Sequence, residues 1–322
     1  MIDFRKIFSG LPDDIKTLVH QDELLRHRTT LQIGGPAALL CEARNTDQAR
    51  RFQEIALENE SQFFILGGGS NILASDDGFP GMVLQVATTD FHPSGDVLTL
   101  GAGLNFDEVI SRSLSSGLSG LEFASGIPGT LGGAIMGNAG CYGHEIGEFL
   151  IEAVTLTPDG DIRQRGPEDF GFRYRETTLR ESGEILLQAT LKLTSGGVEK
   201  AVAVRNEKIS DRKNKHPQNL PSAGSWFRNL PGTTPGQRRT AAGSLLEQVG
   251  AKNMSEGDAR VFEGHANMIV NTGEATCRQV QKLARRMKDA VLEKFQVELI
   301  QEVRLLESSQ KLLQQEDLPG QV

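Results

Sequence analysis

Apolar and polar positions along the chain follow two rhythms. Short apolar runs, first Phe63-Phe64-Ile65-Leu66 and then 82–86 and 97–100, have the length of buried strands. Around them, 47–60 and 105–117 carry apolar residues three and four apart and read as helices. The first has a cap near Thr46-Asp47; the second starts at the cap Asn105 and ends at Gly117. Residues 1–30 read as helical turns and a lead-in, and 30–36 as a strand-like entry closed by Gly34-Gly35-Pro36. Further strands are expected at 152–156, 185–193, 266–270 and 298–306, with a Pro158-Asp159-Gly160 turn after the first. Helices are expected at 198–214, ahead of Pro217, at 242–249, closed by Gly250, and at 275–295. The chain is therefore read as α/β (α+β) in three units: 1–88, a loose echo of it at 89–196, and 197–307, with a polar tail at 308–322.

The run at 63–66 leads into Gly67, Gly68 and Gly69, then Ser70, Asn71 and Ile72. Consecutive backbone N–H groups in such a loop make a nest for an anion, and the Ser70 hydroxyl and Asn71 amide add donors. The loop reads either as a diphosphate cradle or as a tight turn with nothing bound. It is not a P-loop, because no Lys follows Gly69, and Gly101-Ala102-Gly103 starts a dinucleotide fingerprint without completing it. The stretch 121–143 gathers Gly126, Gly129, Gly132, Gly133, Gly137, Gly140 and Gly143 into one turn-and-helix segment. Glycine in a helix costs about 1 kcal/mol relative to alanine. So many together read either as backbone laid against a large flat ligand or as close helix–sheet packing.

Composition narrows the choices. Glycine makes up 36 of 322 residues, about 11% against a usual ~7%, and it is clustered. The net charge of −8 argues against a nucleic-acid partner, so any anion site must be local. Cys41, Cys141 and Cys277 are far apart and form no CxxC pair, which points to neither a disulfide framework nor zinc. The histidines show no HExxH spacing, and no metal is expected. No window approaches ~18 apolar residues, and the N-terminal stretch lacks an apolar targeting core. The expectation is a cytoplasmic protein without a membrane partner.

Three polar residues are ambiguous taken singly. Ser225, after Gly224, reads as a loop residue or cap; Arg175, beside Glu176, as a surface ion pair; Glu302 as the polar position of an apolar strand at its sheet edge. Their surroundings change the reading. Residues 29–35 (TTLQIGG), 66–73 (LGGGSNIL), 126–143 (GIPGTLGGAIMGNAGCYG), Tyr174-Arg175-Glu176, 221–229 (PSAGSWFRN), 265–271 (HANMIVN) and Glu302-Val303-Arg304 occur in one order across nearly the whole chain. Together they resemble the UDP-N-acetylenolpyruvoylglucosamine reductase family.

The resemblance implies a vanillyl-alcohol-oxidase/PCMH-type FAD-binding module of two subdomains plus a C-terminal α+β substrate-binding domain. FAD would be non-covalent, held by Gly67, Gly68, Gly69, Ser70, Asn71 and Ile72. The second stretch would add Gly126, Ile127, Pro128, Gly129 and Thr130, then Gly133, Ala134, Gly137 and Asn138. NADPH would reduce the flavin, whose N5 would pass hydride to the small-molecule substrate UDP-N-acetyl-enolpyruvylglucosamine in a monomeric enzyme of peptidoglycan precursor synthesis. By motif, Ser225, Arg175 and Glu302 would be catalytic, and Tyr174, Lys215, Asn229, Lys252, His265 and Arg304 would contact substrate. The chemistry agrees: hydride added to an enol ether conjugated to a carboxylate builds charge on the carboxylate oxygens. A guanidinium fork and a carboxyl that is either protonated or water-linked, aimed there with Ser225 as proton donor to carbon, favour that transition state.

The chain departs from the pattern at Ser244, where a larger aromatic is expected, and at Trp226, where a smaller residue is usual. The short span 176–206 leaves no room for a tyrosine-bearing lid, so the lid-free subclass is expected. Two alternatives stand beside this reading: another oxidase of the same flavin fold, with Cys141 as a possible flavin tether, and a non-catalytic flavin or UDP-sugar sensor. The sensor would have no need of Ser225, Arg175 and Glu302 together.

Overall fold

The computed structural model describes residues 2–232 and 239–307. Its first half is built on two main sheets. In one, Pro36–Ala43, Phe79–Val86 and Phe63–Leu66 run parallel, with Val19–Leu24 antiparallel on the edge. The other is antiparallel, in the order Ile162–Arg165, Leu150–Leu156, Ile185–Lys192, Val97–Gly101, Phe91–Ser94. Helices Thr46–Glu58 and Phe106–Ser115 follow from their apolar spacing; Asn45 and Asn105 cap them by accepting from Gln48 N and Glu108 N. One apolar core runs through both sheets, from Leu11 to Ala201.

The second half packs the antiparallel strands Ser222–Ser225, Met268–Asn271, Ala259–Val261 and Ser255–Glu256 against helix Cys277–Phe295. That helix buries Val280, Leu283, Ala284, Met287 and Val291 on one face. Its start is set by a capping box, Gln279 N donating to Thr276 Oγ1 at 3.2 Å and Thr276 N to Gln279 Oε1 at 3.1 Å.

Several expectations shift. The strand foreseen at 30–36 forms after the Gly-Gly-Pro turn, at Pro36–Ala43. Residues 29–35 are a loop whose Leu31 and Ile33 enter the second core. Its backbone ties Thr30 N to Gly69 O and Ser222 N to Thr30 O, so it links the two halves. Strand Val19–Leu24 was hidden in the lead-in, because VHQDEL is an edge strand that buries only Val19. The strand foreseen at 298–306 is reduced to Arg304–Leu306 plus a bridge from Gln301 to Phe227. Arg304–Leu306 pairs in parallel with Ile72–Ala74, directly after the glycine loop. Helix Val198–Lys215 lies on the first half: its Ala201 joins that core, and Arg205 grips Asp107 with two bonds of 2.7 and 2.8 Å. The span 176–206 is used up by the turn Leu179–Ser182, strand Ile185–Lys192 and the start of this helix, which leaves no insert. The tail at 308–322 lies outside the described residues.

Candidate active site

The two glycine-rich stretches face each other at backbone distance. A Cβ on Gly68 would stand 2.7 Å from Cα of Gly129, and one on Gly67 would stand 2.8 Å from Thr130 Oγ1. Ser70 Oγ donates to the Pro128 carbonyl at 2.9 Å and locks the pair. Thr130 caps the short helix Leu131–Met136 by accepting from Gly133 N. Part of the glycine content is therefore close packing, the other meaning open for the second stretch. Yet among the described residues, the N–H groups of Gly68, Gly69 and Ser70 donate to no protein group. Open amides over a notch that a side chain would fill suit a diphosphate.

Other predicted cofactor residues serve the protein itself. Ile72 is buried in the strand that pairs with Arg304–Leu306, and Ile127 packs on the first core. Ala134 is buried on the glycine helix. Asn138 spends its side chain on Glu145 Oε2 at 2.6 Å, the Arg173 carbonyl at 2.9 Å and Gly147 N at 3.2 Å. Its amide holds the Arg173–Glu176 turn in place. Gly137 makes room for a side chain: Nη2 of Arg180 lies 3.2 Å from where its Cβ would be.

Arg173 and Glu176 close a tight turn through mutual backbone bonds of 3.0 and 3.1 Å, with Arg175 at φ +61°. This places Nε of Arg175 3.1 Å from Oε1 of Glu302. The N–H is not aimed along that line, so the contact is an ion pair and Nε lacks a hydrogen-bond partner. Glu302 arrives on the segment whose N–H donates to the Trp226 carbonyl at 2.8 Å, one residue past Ser225. Glu302 and Ser225 thus sit on neighbouring backbone, and the Arg175 side chain reaches Glu302. Burial pushes the Glu302 carboxyl up, against the pull of Arg175, Arg228 and Arg180.

The site holds more positive charge than the motifs revealed. Arg228 pairs with Glu176, and Arg180 donates to the Arg175 carbonyl at 3.4 Å. Burial pushes the Arg180 guanidinium down to about 10, with Arg304 and Arg228 adding like-charge repulsion. Burial also lowers Arg304, which lies 5.9 Å above the Phe64 ring. Neither Arg180 nor Arg228 was singled out from sequence. Arg228 stands inside the 221–229 stretch, which was the available signal; Arg180 had none.

The predicted substrate residues form two groups. The Tyr174 ring meets the guanidinium groups of Arg175 and Arg239, at 5.3 and 3.7 Å, on an open cavity of about 250 Å³ shared with Asn229. Asn229 Oδ1 also accepts from Ala242 N at 3.2 Å, at the start of helix Ala242–Gln248. There Gly243 faces His265, whose ring is 6.0 Å from that of His216. Lys215 and Lys252 flank this patch, but each is tied to a carboxylate, Asp211 at 2.6 Å and Glu247 at 2.5 Å. Ser244 is exposed, its hydroxyl bonded to the Ala241 carbonyl, so no aromatic is needed for packing. Trp226 is fully buried in the second core, with Nε1 unpartnered. The Cys141 thiol donates to the Phe123 carbonyl at 2.8 Å, and burial pushes it up, which disfavours the thiolate a tether would need.

Comparison with known proteins gives concordant results. Residues 37–165 match the FAD binding domain family, and 216–306 match the UDP-N-acetylenolpyruvoylglucosamine reductase C-terminal domain. A UDP-N-acetylenolpyruvoylglucosamine reductase of Alkaliphilus oremlandii is 34% identical, covering 94% of this chain and 97% of its own. One from Bacillus pumilus is 35% identical, over 89% of this chain and 94% of its own. The crystal structure of the Thermus caldophilus UDP-N-acetylenolpyruvylglucosamine reductase superimposes with a TM-score of 0.75 at 33% identity, covering 89% of this chain and 98% of that one.

Proposed function

Because the chain belongs to the UDP-N-acetylenolpyruvoylglucosamine reductase family, we propose that it reduces UDP-N-acetyl-enolpyruvylglucosamine to UDP-N-acetylmuramate with FAD and NADPH. The product is a precursor of peptidoglycan. The observation that carries the reading is the Arg175–Glu302 ion pair, drawn from the two halves of the chain to one residue from Ser225. When bound, FAD relays hydride from NADPH to the enolpyruvyl double bond.

The chain's own residues do the rest. The open amides of Gly68, Gly69 and Ser70 hold the diphosphate of FAD. Arg175 and Arg304 receive the substrate carboxylate, and a planar fork suits it. Glu302, its carboxyl raised by burial, takes up a proton once the substrate carboxylate replaces it on Arg175, and shares that proton as charge builds there. Ser225 Oγ delivers a proton to the carbon next to the carboxylate, helped by the basicity of the enolate-like species and by the guanidinium groups. Lys215, Lys252, His265 and Asn229 hold the nucleotide end, with the lysines leaving Asp211 and Glu247 to do so.

The test is spectroscopic. Purified protein should show flavin absorbance that NADPH bleaches and the enolpyruvyl nucleotide restores. Protein that binds FAD but is never reoxidised by that nucleotide would sink the substrate assignment.

A further inference from the structure

Arg180 has no part in the roles just set out. It sits on the short turn Leu179–Ser182 behind Arg175. The carboxylates of this corner are taken, Glu302 by Arg175 and Glu176 by Arg228. Among the described residues Arg180 has no carboxylate partner, and its Nε is buried without any hydrogen bond. Its Nη groups meet two backbone positions, the Arg175 carbonyl at 3.4 Å and the edge of Gly137, which ends the glycine helix Leu131–Met136. Holding a guanidinium there, with Arg304 and Arg228 close by, costs desolvation and repulsion. The corner is short of negative charge until a ligand brings some.

We propose that Arg180 acts on the flavin: its charge favours the flavin that has gained hydride over the oxidised flavin, and its bond to the Arg175 carbonyl positions that turn. This rests on the reading that FAD lies in the glycine cradle. A hydride carries two electrons and one proton. The nicotinamide that loses it is oxidised and becomes one unit more positive; the ring that gains it is reduced and becomes one unit more negative. A fixed cation beside the helix that lines the cradle stabilises that added charge in a setting of low dielectric. The geometry separates Arg180 from the substrate groups: its Nη2 lies 3.2 Å from where a Cβ of Gly137 would stand and its Nη1 donates to a peptide carbonyl, whereas Arg175 faces Glu302.

The experiment is a dye-coupled chemical titration of FAD-loaded wild type, Arg180→Gln and Arg180→Lys, reading the flavin midpoint potential. Arg180→Gln should weaken the preference for reduced flavin about tenfold, which is about 30 mV for a two-electron couple. Arg180→Lys keeps the charge and should stay within about twofold of wild type. Loss of FAD from the Gln variant alone would also support a need for charge. An unchanged midpoint in FAD-loaded Arg180→Gln would overturn the proposal, as would loss of FAD from both variants, which marks a purely structural role. The titration does not use NADPH. Wild-type flavin that titrates normally but is never bleached by NADPH would sink the proposed function and leave this result readable.

Discussion

Arg175 is held in a left-handed backbone conformation at φ +61°, a strain of order 1–3 kcal/mol that a side chain accepts only where its surroundings insist. The turn closed by Arg173 and Glu176 insists, and the result brings one guanidinium to 3.1 Å from Glu302. Arg175→Lys keeps the charge but not the fork. Flavin reoxidation by the enolpyruvyl substrate should then fall about 10²–10³-fold, close to Arg175→Ala, in stopped-flow traces. A mild effect would make Arg175 structural. Ser225→Ala should hold FAD and be bleached by NADPH at the normal rate, while reoxidation slows about 10²–10⁴-fold; near-normal turnover would assign the proton to another group. In the proposed mechanism Glu302 acts while protonated, and burial raises its pKa. Reoxidation should therefore decline as pH climbs through that raised value, and Glu302→Gln, which keeps a donor without titrating, should remove this limb at a loss of about tenfold or less. A pH limb that persists in Glu302→Gln belongs to some other residue. At this scale the motifs pointed to the three side chains proposed to be catalytic, because each stands in a distinctive local string. Arg180 and Arg228 escaped because their importance comes from neighbours remote in sequence.

Between elements, the decisive contact is loop against loop. Gly68→Ala would drive a Cβ to 2.7 Å from Cα of Gly129, and backbone cannot give way there as a flexible side chain can. FAD affinity should fall at least about tenfold and the melting temperature with it. Gly95→Ala is the matched control: its φ is +62°, but nothing lies within 4 Å of the added carbon. It should cost only about 1–2 kcal/mol of backbone strain and leave FAD bound. Equal FAD affinity in the two variants would show that the loops need not touch. The helices were legible from their spacing and caps because both are local. The edge strand Val19–Leu24 and the shortened strand Arg304–Leu306 were not, since the first lacks an apolar face and the second is defined by a partner in the other half.

Across the whole molecule, the halves meet where helix Val198–Lys215 ends. There His216 and His265 are half-buried and face each other. Burial, then Arg212 and His265, push His216 down to about 4, and burial also lowers His265. An unfolded histidine titrates near 6.5. Between about 6.5 and 4 the unfolded chain therefore binds protons that the folded one refuses, and stability falls as pH falls through that window. The melting temperature should drop on acidification from pH 7 to 5, and less steeply in His216→Gln; parallel curves would exclude His216 as the cause. By itself the sequence determined the apolar rhythm, the glycine-lined loops and the motif strings, because spacing, caps and backbone freedom act over a few residues. Only the tertiary structure decided that Glu302 meets Arg175, that Gly68 meets Gly129 and that Arg180 stands by them with no carboxylate partner among the described residues. Those contacts depend on which surfaces the folded halves press together, and on how much water they expel in doing so.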